Sequence, residues 1–212
     1  MKFKLFFYTI IYIIVLVYHT EVLALTPKEK ITLNEINEYL NDNYSFSGNF
    51  EQIDPEGKIT GGRFYILRPG RLRFEYNKPS NLTVTSDNYF VVIHDKKFDT
   101  FNRYPLGSTP LSIILKKKIN IEKSAQIESL KTNQKTIVLK LSKKVDDGES
   151  PYTLDLVFLK EPITLVQWAI TDLENKRTII KLDKIVNNEN IDPKLFISED
   201  MIKEKKNKNN ND

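Results

Sequence analysis

Residues 71–76 read Arg-Leu-Arg-Phe-Glu-Tyr, the strictest alternation of apolar and charged residues in the chain. Successive side chains of a β-strand point to opposite faces, so Leu72, Phe74 and Tyr76 share one face of the predicted strand. A register slip of one residue would bury the three intervening charges instead. The stretch therefore predicts a strand with one apolar face and one charged face.

The same period of two extends in both directions from this strand. Pro-Gly and Pro-Ser turns bound it, at residues 68–70 and 78–80. One further strand is predicted to begin at Tyr44. The others are predicted at residues 58–67, 82–86, 89–94, 97–103, 125–131, 134–142, 151–160, 163–172 and 176–186.

Two amphipathic helices interrupt this pattern. Residues 26–29, Thr-Pro-Lys-Glu, form a capping box with proline at the first helical position. The helix that follows carries one apolar stripe, Leu33, Ile36 and Leu40, and ends at residues 41–43. The Thr-Pro signal recurs at residues 109–110, where a short helix ending near residue 118 is predicted, with the stripe Leu111, Ile114 and Leu115.

The strand count decides the fold class. About eleven antiparallel strands exceed a comfortable flat sheet, so the sheet should curl into a barrel or half-barrel. Both α-helices should lie with their apolar stripes against its concave face. We therefore expect a mainly β protein, an unclosed antiparallel half-barrel with a helical lid over a concave hydrophobic face.

The N-terminus is typical of a cleaved signal peptide. Lys2 and Lys4 precede an apolar run from residue 5 to residue 17, and Val-Leu-Ala at residues 22–24 suits a signal peptidase. Thirteen helical residues span roughly 20 Å, short of the roughly 30 Å hydrocarbon core. We expect residues 1–24 to be removed, residues 25–202 to form one domain and residues 203–212 to be disordered.

The composition argues against most enzyme chemistry. Cysteine is absent, which excludes disulfides, thiolate metal sites and the acylated cysteine of a lipoprotein. Of two histidines only His94 lies outside the predicted leader, and a lone histidine on a strand is more often structural than catalytic. Neither a nucleophile elbow nor a nucleotide-binding glycine motif is present. We expect no enzyme activity, no metal, no cofactor and, because the lysines are spread, no nucleic-acid partner.

An ordered set of short motifs resembles the periplasmic outer-membrane lipoprotein carrier (LolA) family. Each motif is short, but together they follow the family order on the predicted elements, over roughly residues 28–200. The motifs are Phe50-Glu51-Gln52, Gly61-Gly62-Arg63-Phe64, Arg68-Pro69-Gly70-Arg71-Leu72-Arg73-Phe74-Glu75-Tyr76, Pro79, Thr85-Ser86-Asp87 and Thr109-Pro110-Leu111.

The resemblance implies a monomeric periplasmic chaperone that binds the acyl chains of lipoproteins. Members of the family take acylated lipoproteins from an inner-membrane lipoprotein-releasing ABC transporter. They deliver them to an outer-membrane acceptor protein or to the membrane itself. The resemblance also implies an unclosed barrel with a helical lid, in agreement with the strand count.

The resemblance assigns roles to particular residues as well. Arg68 matches an arginine at the barrel edge that hydrogen-bonds backbone carbonyls of the lid helix, although it could also be an ordinary residue of a Pro-Gly turn. Leu72 matches a position at the cavity mouth and is equally compatible with plain core. The full acyl-chain cavity is predicted to comprise Phe50, Phe64, Ile66, Leu72, Phe74, Tyr76, Val84, Val91, Ile93 and Trp168. The lid is predicted to contribute Leu33, Ile36, Leu40, Leu111, Ile114 and Leu115.

Two departures and two alternatives stand beside this interpretation. Asn88 replaces the glycine that the family usually has after the Ser-Asp of its turn, and the charged loop at residues 143–150 has no clear family counterpart.

The fold also occurs in periplasmic sensors that bind lipid or lipoprotein signals, although such sensors usually carry a second domain. A lipid-acting enzyme is the other alternative, but the chain lacks a nucleophile–base pair.

Overall fold

The computed structural model describes residues 25–143 and 151–201. The predicted leader at residues 1–24, most of the charged loop at 143–150 and the predicted tail at 203–212 lie outside the described residues. One sheet dominates the fold. Its strands are β1 Ser45–Ile53, β2 Ile59–Leu67, β3 Arg71–Tyr76, β4 Leu82–Asp87, β5 Phe90–Asp95, β6 Thr100–Pro105, β7 Gln126–Thr132, β8 Thr136–Ser142, β9 Tyr152–Lys160, β10 Ile163–Asp172 and β11 Arg177–Asn187.

The strand order follows the chain except at one place. The order is β6-β5-β4-β3-β2-β1-β11-β10-β9-β8-β7, and every neighbouring pair is antiparallel. The first strand therefore pairs with the last, while β6 and β7 form the two ends of the order. The predicted fold class, an unclosed antiparallel sheet of eleven strands with helical elements, is confirmed.

Helix α1, Pro27–Asp42, begins where the capping box predicts. The Thr26 hydroxyl accepts from the Glu29 N–H, and the Glu29 carboxylate accepts from the Thr26 N–H at 2.8 Å. Leu33, Ile36 and Leu40 are its buried side chains. None of the helices in the described ranges is both long enough and apolar enough to cross a bilayer.

The prediction of a second lid helix is wrong, because the chain forms 3₁₀ turns there. Residues 106–125 run from β6 to β7, and we call them the crossing segment. It contains two 3₁₀ turns, Leu106–Ser108 and Pro110–Ile113, and one short α-helix, α2 Ile121–Ser124. Thr109 fails as an N-cap because its hydroxyl donates backwards to the Leu106 carbonyl at 2.8 Å. Without that cap the short stretch forms 3₁₀ turns in place of the α-helix expected up to residue 118.

The sixth strand begins three residues later than the alternation predicts. Residues 97–99 form a turn, because the Asp95 carboxylate accepts from the Lys97 N–H at 2.8 Å and from the Phe98 N–H at 3.4 Å. Asp99 then adopts a positive φ of 52°. Side chains of this kind compete with the sheet ladder for backbone donors, which shortens the strand.

The chain beyond β11 crosses the convex face of the sheet, which the sequence analysis did not predict. We call residues 188–201 the strap. It starts at β1, where the Ser45 hydroxyl donates to the Glu189 carbonyl at 2.7 Å. It passes β3, where Arg73 donates to the Leu195 carbonyl at 3.3 Å, and ends over β6, where Arg103 pairs with Asp200 at 2.5 Å.

The strap buries His94 between two carboxylates. Its Nε2 lies 3.2 Å from Asp99, its Nδ1 lies 3.0 Å from Glu199 of the strap, and its ring stacks on Phe101. Both nitrogens thus face carboxylates that join two parts of the fold. The Glu199 contact places the strap against β5 at His94.

Phe196 should carry much of the stability that the strap adds. It is 2% exposed, whereas its neighbour Ile197 is 40% exposed. Truncating a buried phenylalanine leaves a cavity, so Phe196→Ala should lower the free energy of unfolding by about 3 kcal/mol. Ile197→Ala should lower it by less than about 1 kcal/mol. Urea unfolding of both variants measures this, and equal losses would mean that the strap is not packed as described.

Candidate functional site

The concave face of the sheet collects the predicted cavity residues. Phe74 lies at their centre, with its ring centroid 4.6 Å from that of Phe50, 5.8 Å from Phe64 and 5.9 Å from Trp168. The buried members of the predicted set are Phe50, Phe64, Ile66, Leu72, Phe74, Val91 and Trp168. Tyr76 and Val84 are partly buried and pack against them, whereas Ile93 is partly buried and lies outside this cluster.

Lid side chains pack directly on this lining. Leu33, Ile36 and Leu40 of α1 belong to the same buried cluster as the concave face. So do Ile114 and Leu115 of the crossing segment, while Leu111 is partly buried at its margin. The side chains that the sequence assigned to two helical stripes therefore converge on one surface, although only one of the stripes is on an α-helix.

Arg68 joins the sheet to both parts of the lid. Its Nη2 donates to the carbonyls of Leu40, of Asn41 at 3.3 Å and of Asn43 at 2.9 Å, at the C-terminus of α1. Its Nη1 donates to the Lys116 carbonyl of the crossing segment at 3.3 Å. One guanidinium on the β2–β3 turn thus contacts backbone oxygens of two separate lid elements, which a forked group with several donors can do.

The electrostatics of this contact follow from the end of the helix. The last four carbonyls of an α-helix have no partner within it and carry partial negative charge, which favours a cation. Helix α1 has no basic residue in its last turn, so Arg68 supplies the charge from the sheet. Arg68 is 8% exposed, and among the described residues no carboxylate pairs with it. Burial lowers the pKa of the Arg68 guanidinium, and the carbonyl dipoles compensate part of that desolvation.

The turn that carries Arg68 makes a further bond to the lid. Gly70 donates its N–H to the Leu115 carbonyl at 2.8 Å and adopts a φ of 66°. A Cβ at this position would lie 2.5 Å from the side chain of Asn88. Glycine is therefore required both by the backbone conformation and by the close approach of the β4–β5 turn.

Sequence reasoning missed the asparagines around the end of α1. Asn188, at the start of the strap, donates to the Asp42 carbonyl at 3.2 Å and accepts from the Tyr44 N–H at 3.1 Å. Asn188 has a positive φ of 55°, a conformation that asparagine tolerates in turns. The Asn-Asn pair at residues 187–188 was therefore the one local sequence feature that indicated a turn here. The half-buried Asn37 and Asn41 of α1 also bond the crossing segment.

The arrangement suits binding of an apolar ligand. The concave face offers aromatic and aliphatic carbon, and at its edge one cation, Arg68, donates to backbone carbonyls of the lid. Within residues 25–143 and 151–201 there is no cluster of His, Asp or Glu that could hold a metal ion. His94 lies under the strap on the opposite face of the sheet.

Tyr76 places a phenol at the margin of the apolar lining. Its hydroxyl donates to Gln52 Oε1 at 2.6 Å, and its ring lies 4.9 Å from that of Phe50. Burial disfavours the phenolate, which raises the pKa of Tyr76 from 10.0 to about 12.

The raised pKa of Tyr76 predicts an alkaline loss of stability. The contribution is fully present below pH 10 and is lost as the pH rises towards 12, because only the unfolded chain releases the proton there. Tyr76→Phe should therefore lose less stability over that range than the wild type, when both are unfolded in urea at a series of pH values. Parallel stability curves for the two proteins would show that Tyr76 ionises as readily in the folded chain as in the unfolded one.

Comparison with known proteins agrees with this geometry. The family model described as "Outer membrane lipoprotein carrier protein LolA" matches residues 41–198, which is most of the chain. An outer-membrane lipoprotein carrier protein of Methylococcus capsulatus is 26% identical over 172 residues, covering 77% of this chain and 81% of the relative. One from Leptothrix cholodnii is 36% identical over 67 residues, covering 28% of this chain and 32% of the relative.

A LolA superfamily protein from Nitrosomonas europaea matches with a TM-score of 0.47 at 8% identity, covering 83% of this chain and 99% of that protein.

Proposed function

This chain belongs to the outer membrane lipoprotein carrier protein LolA family, and from that membership we propose that it carries acylated lipoproteins across the periplasm. In this proposal the acyl chains bind the concave face under the lid. The cargo comes from an inner-membrane lipoprotein-releasing ABC transporter and passes to an outer-membrane acceptor protein or to the membrane. The protein acts as a monomer, reaches the periplasm through a signal peptide at residues 1–24 and binds its cargo without chemical change.

The size of the cargo's apolar surface supports a covered site. A triacylated lipoprotein carries on the order of 45 methylenes, and at about 0.8 kcal/mol each their exposure to water would cost roughly 36 kcal/mol. The concave lining supplies matching carbon surface, now covered by lid residues such as Leu33, Ile36 and Leu115. Acyl chains and these lid side chains compete for the same surface, so loading must displace the lid.

The observation that carries the proposal is the set of hydrogen bonds from Arg68 to the lid carbonyls, because these bonds favour the closed lid. A hydrogen bond to a charged group contributes about 1.5–3 kcal/mol, and two such bonds contribute about 3–6 kcal/mol. Opening the lid breaks these bonds and closing restores them. A ligand that binds only the open form is therefore bound more weakly than the lining alone would allow, which makes release possible.

Replacing Arg68 should impair release more than loading. Arg68→Leu removes the bonds to the carbonyls of Leu40, Asn43 and Lys116, so the open form becomes more populated. The variant should fold, bind a lipopeptide at least about a hundredfold more tightly and deliver it slowly. Transfer from preloaded protein to outer-membrane vesicles measures delivery, and binding is measured separately.

Two further variants make this test specific. Arg68→Lys should restore only part of the delivery, because an ammonium cannot fork between carbonyls of two elements. Arg71→Leu, three residues along the same hairpin, removes a positive charge on the other face of the sheet and should behave as wild type. Weak loading by Arg68→Leu, or delivery at the wild-type rate, would reduce Arg68 to an ordinary turn residue.

A further inference from the structure

Two asparagines of α1 bind the crossing segment with their side chains. Asn41 donates to the Ile119 carbonyl at 2.8 Å and accepts from the Ile119 N–H at 2.9 Å. Asn37, one turn earlier, accepts from the Ile121 N–H at 3.1 Å. Asn41 also donates to the Asn37 carbonyl at 2.7 Å, which fixes the orientation of its amide. Side chains of α1 therefore supply the hydrogen-bond partners of the Ile119 N–H and carbonyl and of the Ile121 N–H.

The polar contacts between lid and sheet are concentrated elsewhere. The crossing segment bonds the β2–β3 turn through the carbonyls of Leu115 and Lys116, and α1 bonds the same turn through its last carbonyls. The bonds that join the two lid elements to each other lie further along, at Ile119 and Ile121. The lid is thus joined to the sheet at this turn and at β10, where the Tyr39 hydroxyl accepts from the Leu165 N–H at 3.2 Å. It is joined within itself at a separate place.

We infer that Asn37 and Asn41 make α1 and residues 115–121 open as one unit, and that this determines a preference for cargo with several acyl chains. The inference rests on the proposed function. Bonds between the two lid elements are present in the closed form and in the open form, so they do not change the free energy of opening the whole lid. They do exclude forms in which only one element has moved.

The preference follows from what each cargo must displace. A ligand shifts an equilibrium only by its differential affinity for the two forms. A single acyl chain gains little surface yet must open the whole lid, whereas several chains gain enough to offset the same opening. If the two elements moved separately, one chain would need to displace only one of them. Asn37 and Asn41 are therefore positioning residues that disfavour free fatty acids and single-chain lipids.

The surroundings of the two asparagines allow them to be replaced. They line a groove of about 760 Å³ at the protein surface, together with Glu38, Lys117 and Lys118. Water can reach this groove, which Ile119 also lines, and can bond the backbone groups freed there. The double variant Asn37→Leu/Asn41→Leu should therefore fold. Asn37→Asp is the matched control, because a carboxylate oxygen still accepts from the Ile121 N–H.

Native-state hydrogen exchange of the unliganded protein tests the coupling without any cargo. The Gly70 and Leu165 amides report on the two lid elements, because they donate to the Leu115 carbonyl of the crossing segment and to the Tyr39 hydroxyl of α1, and each loses its bond when that element leaves the sheet. In the wild type and in Asn37→Asp, these two amides should open with the same free energy and the same urea dependence. In the double variant the two amides should separate. A wild type with two distinct openings, or a double variant with one, would overturn the inference.

Binding of two probes tests the preference. Palmitate is the single-chain probe and a synthetic tripalmitoylated lipopeptide is the multi-chain probe. The double variant should bind palmitate about tenfold more tightly than the wild type, while its affinity for the lipopeptide changes less than about threefold. Equal shifts for both probes, or none, would refute the preference. A wild type that binds neither probe would refute the proposed function instead, and the exchange experiment would still decide the coupling.

Discussion

The contact between the Arg68 guanidinium and the C-terminal carbonyls of α1 is the interaction on which the arrangement of this protein depends. A charge that is almost fully buried is costly unless it is hydrogen-bonded, and the unpaired carbonyls of a helix end are equally in need of donors. The guanidinium donates to these carbonyls, and both groups are hydrogen-bonded in this way only while the lid lies on the sheet. The contact therefore favours the closed form through polar bonds alone, and it leaves the apolar surface of the concave face unchanged.

The two faces of the sheet are covered by different parts of the chain and by different chemistry. The concave face is covered by α1 and the crossing segment through apolar packing. The convex face is covered by the strap, whose carbonyl or carboxylate oxygens lie against Arg73, His94 and Arg103. These three contacts involve neither α1 nor the crossing segment, so moving the lid does not require breaking them.

The fold could be predicted because its determinants are local. Alternation such as that of residues 71–76 specifies a strand and its apolar face, and the capping box specifies the start of α1. The second lid helix could not be predicted correctly, because its Thr-Pro signal is the same as that of a true N-cap and only the Leu106 carbonyl, reached through a turn, decides where the Thr109 hydroxyl points.

The burial of most residues of the candidate site could be predicted from the sequence, with Ile93 as an exception, whereas the contacts between distant parts of the chain could not. Leu72, Phe74 and Trp168 are large apolar residues on strands, and burial follows from their alternation. Contacts such as Asn41 with Ile119, or His94 with Glu199, join residues far apart in the chain through groups that are equally common on protein surfaces. Only the three-dimensional path of the crossing segment and of the strap brings them together.

Native mass spectrometry of the protein purified from the periplasm of a Gram-negative host tests the central claim most directly. The account predicts that acylated lipoproteins co-purify with the wild type and are more abundant on Arg68→Leu, which should retain them. Free lipids alone would indicate a general lipid shuttle, and recovery of a specific regulatory protein without acylated cargo would favour a sensor. The absence of any acyl-bearing molecule from both proteins would contradict the account.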